Sequence, residues 1–310
     1  MLPKRFPAAG SIEGENMVKY KKSAGSIAFD VFNIVLMLFI VFCTVYPFWY
    51  VVVGSLNDST DFLKGGIFFW PRKWSLLNYK EVFANDSLVN AFGITIARTV
   101  LGIVTHVIFT GIFAYGMAYK NLMGKKFYSI VCIIPMFIGG GTIPYYLLLV
   151  NLKLTNTFWV YIIPWLFSFW DSLILRMGFN SIPDSLFESA RIEGAGEIRI
   201  FWHIAVPLTM PIFAAIAIFT GVGQWNSYFD SLLYNANTDQ FKTLQHLIVE
   251  MIKRNEGSTG NIGPGGMPTK VTSESLQYAS IVVATLPIVV IYPFLQRFFV
   301  KGVLIAAVKE

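Results

Sequence analysis

The sequence predicts an all-α integral membrane protein with six transmembrane helices. Three observations carry that fold class. The 310 residues are 55% hydrophobic and only 14% charged, against roughly 25% charged in a soluble domain. Six apolar runs approach the length of about 20 residues that a bilayer core requires. No alternating ten-residue pattern of a barrel strand occurs, and an open strand edge is not viable in hydrocarbon.

The six runs cover residues 27–55, 90–119, 127–150, 158–177, 205–228 and 279–300. Before the first lies a polar segment, 1–26, with Lys4, Arg5, Lys19, Lys21 and Lys22. The run after it is too long for a signal-peptide core, so it reads as an uncleaved first span. Pro135, Gly139, Gly140, Gly141 and Pro144 interrupt the third run, Pro164 the fourth, and Pro287 and Pro293 the sixth. A proline removes a helix hydrogen bond, so bent helices around a cavity are expected. The plainer reading is that Pro and Gly are common in membrane helices.

Orientation follows from basic residues in the connections. With the N-terminus inside, the inner segments 1–26, 120–126, 178–204 and 301–310 hold twelve Lys and Arg. The longer outer segments 56–89, 151–157 and 229–278 hold nine. Lys120, Lys125 and Lys126 share one short loop. The bias places both termini in the cytoplasm. It also accounts for the net charge of +6 without nucleic acid, since no basic stripe interleaves with aromatics. Cys43 and Cys132 lie in apolar runs, where they act as small hydrophobes.

Two outer segments have features of their own. Trp70, Pro71, Arg72, Lys73 and Trp74 read as a short interfacial anchor. Leu244, Leu247, Ile248 and Met251 recur at helical spacing and predict an amphipathic helix. Residues 257–268 form a Gly/Pro-rich loop. Gly-Lys-Ser/Thr in P-loop spacing is missing, so this chain is expected to bind no nucleotide or other cofactor. HExxH and GxSxG are missing too, and His106, His203 and His246 are scattered, which argues against a membrane enzyme. A secondary transporter is the alternative. It would ask for paired intramembrane carboxylates or an inverted repeat, and only Asp171 lies deep in a span.

Between the fourth and fifth runs lies a polar segment with helix signals. Ser181 is a candidate cap, Pro183 suits the first turn and Asp184 suits its positive dipole. The helix is expected to reach about Glu193, where Gly194 supplies a left-handed stop. A second short helix follows, and Pro207 marks the start of the fifth span. The product is a helical hairpin on the predicted inner side. Ala190, Gly194 and Ala195 are small and permit close approach by another backbone. Glu188, Arg191 and Glu193 surround them with charge, and Leu186 and Phe187 offer apolar contacts.

The spacing is Glu188-Ser189-Ala190, three residues, Gly194, nine residues, Ile204, one residue, Val206-Pro207. It resembles the EAA loop of ABC importer permeases. Ser189 stands for the middle Ala of that pattern and Val206 for a Leu. Residues 90–293 resemble the MetI-like transmembrane domain, with the loop at about 181–207. Residues 27–55 precede it as the first span, and 294–310 follow as a cytoplasmic tail. Residues 292–302 resemble carbohydrate-type permeases, nearest the branch that includes LplC and YtcP, which handle complex oligosaccharides. That branch usually ends Gly-Ala-Val-Lys-Gly, whereas this chain ends Ala306-Ala307-Val308-Lys309-Glu310.

The resemblance implies a subunit of a bacterial inner-membrane importer that catalyses nothing itself. It implies a second, dissimilar permease, two ATPases that use ATP-Mg, and an extracytoplasmic substrate-binding protein approached by residues 257–270. Glu188 matches the position that pairs with a basic group of the ATPase, Gly194 the turn, and Ala190 and Ala195 the small contacts. For a sugar, aromatic faces and amides are the expected ligands. Two clusters fit: Trp165, Phe169, Trp170 and Asp171 in the fourth span, and Gln224, Trp225, Asn226 and Tyr228 at the outer end of the fifth. Interfacial belts and interhelical pairing are the plainer readings of both. Arg98 and His106 read as interhelical partners.

Overall fold

The structure, a computed structural model, describes residues 24–257 and 271–307. Most of the polar segment 1–26, the Gly/Pro-rich loop and the last three residues therefore lie outside the described residues. The chain divides into two compact units, residues 1–49 and 50–310. Helix α1 (Ala24–Leu56, continuing into the second unit) is apolar on every side and, within the first unit, largely exposed; Val53, Gly54 and Ser55 near its end are buried. Such a helix is made for lipid or for another membrane helix.

The second unit is built on α4. After α2 (Ser59–Phe62) and α3 (Leu77–Ala84) come α4 (Asp86–Ala118), α5 (Lys125–Phe137) and α6 (Thr142–Asn151). Two 3₁₀ turns, Phe158–Tyr161 and Ile163–Trp165, lead into α7 (Phe169–Asn180). Then follow α8 (Asp184–Ile192), α9 (Glu197–Ile200), a π turn at Phe201–Ala205 and α10 (Val206–Leu208). The rest is α11 (Met210–Asn226), α12 (Phe229–Tyr234), α13 (Leu244–Gly257) and α14 (Ser273–Ala307). Helix α4 packs mainly on α7 and α11, around Ala114, Leu175, Phe179, Phe201, Phe213 and Ile216. Small residues set how close these helices come. A Cβ on Gly178 would stand 2.4 Å from Ile212 Cδ1, and one on Gly111 2.8 Å from Phe213. Close backbone approach of this kind drives helix association where lipid removes the hydrophobic difference.

Three described helices are long and apolar enough to cross a membrane: Gly25–Leu56, Asp86–Ala118 and Ser273–Pro293. Three bent pairs bring the number to six if each is one span. The third run bends by 117° between α5 and α6, at Gly141 with φ of 82°. The fourth starts as 3₁₀ turns and bends by 47° before α7.

Two expectations about the breaks need correction. The start of the fifth span, expected at Pro207, lies past Thr209, where the chain turns by 83°; Pro207 sits in the first turn of α10, before that turn. Pro211, in the first turn of α11, suits a new helix start. Pro287 and Pro293 do not interrupt the sixth run, because α14 continues through both. Beside Pro287, the Trp225 indole donates to the Ala284 carbonyl at 3.0 Å. This bond anchors α14 to α11 one residue past Val283, the carbonyl whose helix partner Pro287 removes.

The amphipathic helix predicted after the fifth run is α13. Its Leu244 and Ile248 are buried, with Leu247 and Met251 packed beside them.

A hairpin fastened to the end of the central helix

The polar segment forms the predicted hairpin, α8 and α9. Helix α8 ends at Ile192, and Gly194 is left-handed with φ of 82°. The Gly194 N–H donates to Arg191 O at 3.0 Å and the Ala195 N–H to Ala190 O at 2.9 Å. These two bonds complete a Schellman stop, which satisfies the last carbonyls of the helix. A Cβ at Gly194 would meet nothing within 4 Å. Glycine is needed there for its backbone angle, not for space.

The start of α8 differs from expectation. Ser181 does not cap it: its hydroxyl donates back to Gly178 O at 2.7 Å, closing α7 instead. Pro183 occupies the cap position without a side-chain hydrogen bond. Two residues of offset are enough for this, because a serine at a helix end bonds to whichever backbone lies nearest.

The hairpin is tied to α4 by contacts that sequence reading missed. Glu197 receives two hydrogen bonds, from Arg191 Nε at 2.8 Å and from the Tyr115 hydroxyl at 2.8 Å. The Glu197 carboxylate pushes the Arg191 pKa up. The Arg191 guanidinium also lies 5.5 Å from the Tyr119 ring centre. Lys120 pairs with Asp184 at the base of α8. Beneath them, Tyr115 meets Phe179, Phe187 and Phe201 at ring distances of 5.7, 6.5 and 5.3 Å. Phe187 thus packs on the chain's own core, while Leu186 is exposed.

The outer face of the hairpin is open. Glu188, Ser189, Glu193 and Gly194 are exposed, Ala195 is half-buried, and Ala190 is buried beneath them. Ile192 and Ile198 flank the turn at 87% and 78% exposure. Two isoleucines held in water on a polar hairpin suggest a contact surface. The sequence signal was available: aliphatic residues in a segment otherwise polar.

Both candidate clusters divide into buried and exposed members. Trp165 and Trp170 are exposed, and Phe169 is buried. Asp171 Oδ2 lies 3.0 Å from His106 Nε2, and the Trp165 carbonyl lies 2.7 Å from His106 Nδ1. His106 therefore joins α4 to both sides of the break before α7. In the fifth span, Asn226 and Tyr228 are exposed, but Gln224 is fully buried and Trp225 nearly so. Gln224 Oε1 accepts from Arg98 at 3.0 and 2.7 Å, and its Nε2 donates to Tyr161 O at 3.2 Å. Arg98 also donates to both Asp230 oxygens, at 3.1 and 2.6 Å, and sits over the Tyr161 ring at 4.3 Å. Gln224 and Trp225 thus spend their polar groups inside the chain.

Helices of crossing length, proline- and glycine-broken spans, and a clamped polar hairpin between two of them define a membrane-embedded transport component. The chain belongs to the family of binding-protein-dependent transport system inner membrane components, whose sequence profile matches residues 28–305. It is 34% identical to Protein LplC of Bacillus subtilis (strain 168), over 94% of this chain and 97% of that one. It is 30% identical to the polygalacturonan/rhamnogalacturonan transport system permease protein YtcP of the same organism, over 88% and 95%. Among solved structures it resembles a chain of a bacterial ABC transporter involved in the import of the acidic polysaccharide alginate. The TM-score there is 0.81 at 24% identity, over 90% of this chain and 99% of that one. At that identity the likeness is one of fold.

Proposed function

We propose that this chain is one of two permease subunits of an ABC importer for a carbohydrate, most simply an oligosaccharide. An extracytoplasmic binding protein delivers the substrate, and two cytoplasmic ATPases consume ATP-Mg; this chain binds no cofactor. The names of relatives support the sugar class. The hairpin supports the coupling role and is the observation that carries it. Its rigid Schellman turn offers Glu188, Ile192 and Ile198 outward, while Glu197 and Tyr115 fasten it to the central helix. Basic residues in the connections support a cytoplasmic position for the hairpin and both termini.

In this reading, closure of the ATPases pushes the hairpin, and α4 carries the motion to mid-membrane. ATP biases the outward–inward equilibrium only through contacts that differ between the two states. Trp165, Trp170 and Asp171 are proposed to face the sugar. A partly buried carboxylate within a span is expensive against lipid, and flanking indoles stack on pyranose faces. Asn226 and Tyr228 are the exposed candidates nearer the outside. Gln224 and Trp225 serve them from behind, by holding the end of α11.

The test is uptake in cells that depend on this importer. Glu188→Ala and Gly194→Val, each expressed at normal level, should lower uptake and weaken co-purification of the ATPase. Normal uptake and normal co-purification by both would remove the docking role.

A further inference from the structure

Residues 63–76 form a built platform that the hairpin mechanism does not use. The segment connects the ends of two spanning helices, since α1 stops at Leu56 and α4 starts at Asp86. Its level is therefore that of a membrane boundary. Asn57 fixes its backbone: Oδ1 accepts from the Arg72 and Lys73 N–H groups at 2.8 and 2.9 Å. The Asp58 N–H donates to Lys73 O at 2.8 Å, and the Ser75 N–H to Leu56 O at 2.9 Å. Gly65 and Gly66 turn the chain with φ of 70° and 74°. Arg72 closes the turn onto Gly65 O at 2.6 Å and lies 3.4 Å from Asp61. Ile67 and Pro71 point inward and are buried.

What this frame presents outward is aromatic and cationic. Phe68, Phe69, Trp70 and Trp74 are exposed, the two tryptophans at 68% and 67%. Lys64, Arg72 and Lys73 are exposed among them. In water, four exposed rings on a rigid loop would be an unfavourable surface. At the headgroup level the same set is stabilising, because indole rings partition there and basic side chains meet lipid phosphate.

We propose that residues 63–76 are a membrane-interface anchor whose rings enter the headgroup layer while Lys64 and Lys73 engage lipid phosphates. The anchor fixes the depth of the adjoining helix ends, against which the rest of the chain moves. Arg72 has a second duty in the loop's own turn.

The experiment uses the full chain, purified with whatever subunits accompany it and placed in lipid nanodiscs. A spin label is attached at Trp74→Cys, or separately at Trp70→Cys, in a Cys43→Ser, Cys132→Ser background. Collision rates with oxygen, which concentrates in lipid, and with a water-soluble nickel chelate report the environment. A label at Asp239→Cys, whose side chain is 92% exposed, serves as the aqueous reference. The nickel-to-oxygen ratio is expected to be several-fold lower at both anchor positions than at the reference. Phosphatidylglycerol added to phosphatidylcholine discs should slow the labels, and Lys64→Gln with Lys73→Gln should abolish that slowing. A ratio equal to the reference overturns the anchor. So does a drop that appears only when the extracytoplasmic binding protein is added, which would make the platform a protein-docking surface. Slowing that survives loss of both lysines overturns the phosphate contact.

Discussion

Arg191 Nε donates to Glu197 Oε1 at 2.8 Å, so the last turn of α8 is bonded directly across the Gly194 turn to the first turn of α9. The same carboxylate takes the Tyr115 hydroxyl of α4. One side chain thus closes the hairpin and attaches it to the central helix.

Replacing Glu197 should separate coupling from stability. The Arg191 and Glu197 side chains are 36% and 52% exposed, and an exposed pair contributes about 0–1 kcal/mol. Glu197→Gln is expected to leave the melting temperature nearly unchanged while uptake falls. A parallel measurement of thermal unfolding and transport decides it; a large loss of stability would show that the pair holds the fold instead.

Gly194 should respond to backbone shape alone. A left-handed L-residue costs about 1–2 kcal/mol, and space around the position is open. Gly194→Asn is expected to retain most coupling because Asn tolerates that region. Gly194→Val should lose it. Equal loss in both variants would point to a steric requirement made by a partner.

Ile192 and Ile198 make a different prediction. Both are exposed in this chain, so Ile192→Asp and Ile198→Asp should not lower its stability. Charge at the apolar centre of a contact surface disfavours docking, so ATPase co-purification should weaken. Unchanged co-purification would leave these residues outside the interface.

Arg98 should be indispensable to folding. It is fully buried and bonded to Asp230, Gln224 and Ser227 O. Breaking a buried pair from one side costs about 3–5 kcal/mol, so Arg98→Met alone should collapse the yield of folded chain. Arg98→Met with Asp230→Asn should recover part of it. Folded yield in mild detergent, by size exclusion, checks both.

His246 gives a pH prediction. It is buried in α13, its Nδ1 lies 2.9 Å from the Ser231 hydroxyl, and its Nε2 lies 3.4 Å from Glu250 Oε1. Burial lowers its pKa; Glu250 opposes that shift, and nearby Lys242 adds to it. The unfolded chain then takes up a proton before the folded one does. This contribution to stability is complete above the ordinary histidine value of about 6.5. It is lost as pH falls from there through the depressed folded value. His246→Gln should flatten that part of the pH–melting profile, and an unchanged slope would assign the dependence elsewhere.

The spans, the hairpin and its glycine stop were legible because they rest on local rules. Hydrophobic run length decides what enters a bilayer, and a left-handed stop needs a particular residue at a particular place. Arg98 and His106 were legible as interhelical partners because a lone charge in a span demands one. Which partner each takes was decided only by tertiary structure. Gln224 and Arg98 stand 126 positions apart, and Glu197 and Tyr115 stand 82 apart, so no periodicity joins them. Tertiary packing also divided the Gln224–Tyr228 cluster into buried and exposed members. It placed the fifth-run bend at Thr209 and kept α14 continuous through its prolines. A proline's effect depends on how its neighbours pack around the helix, and neighbours exist only once the helices have packed.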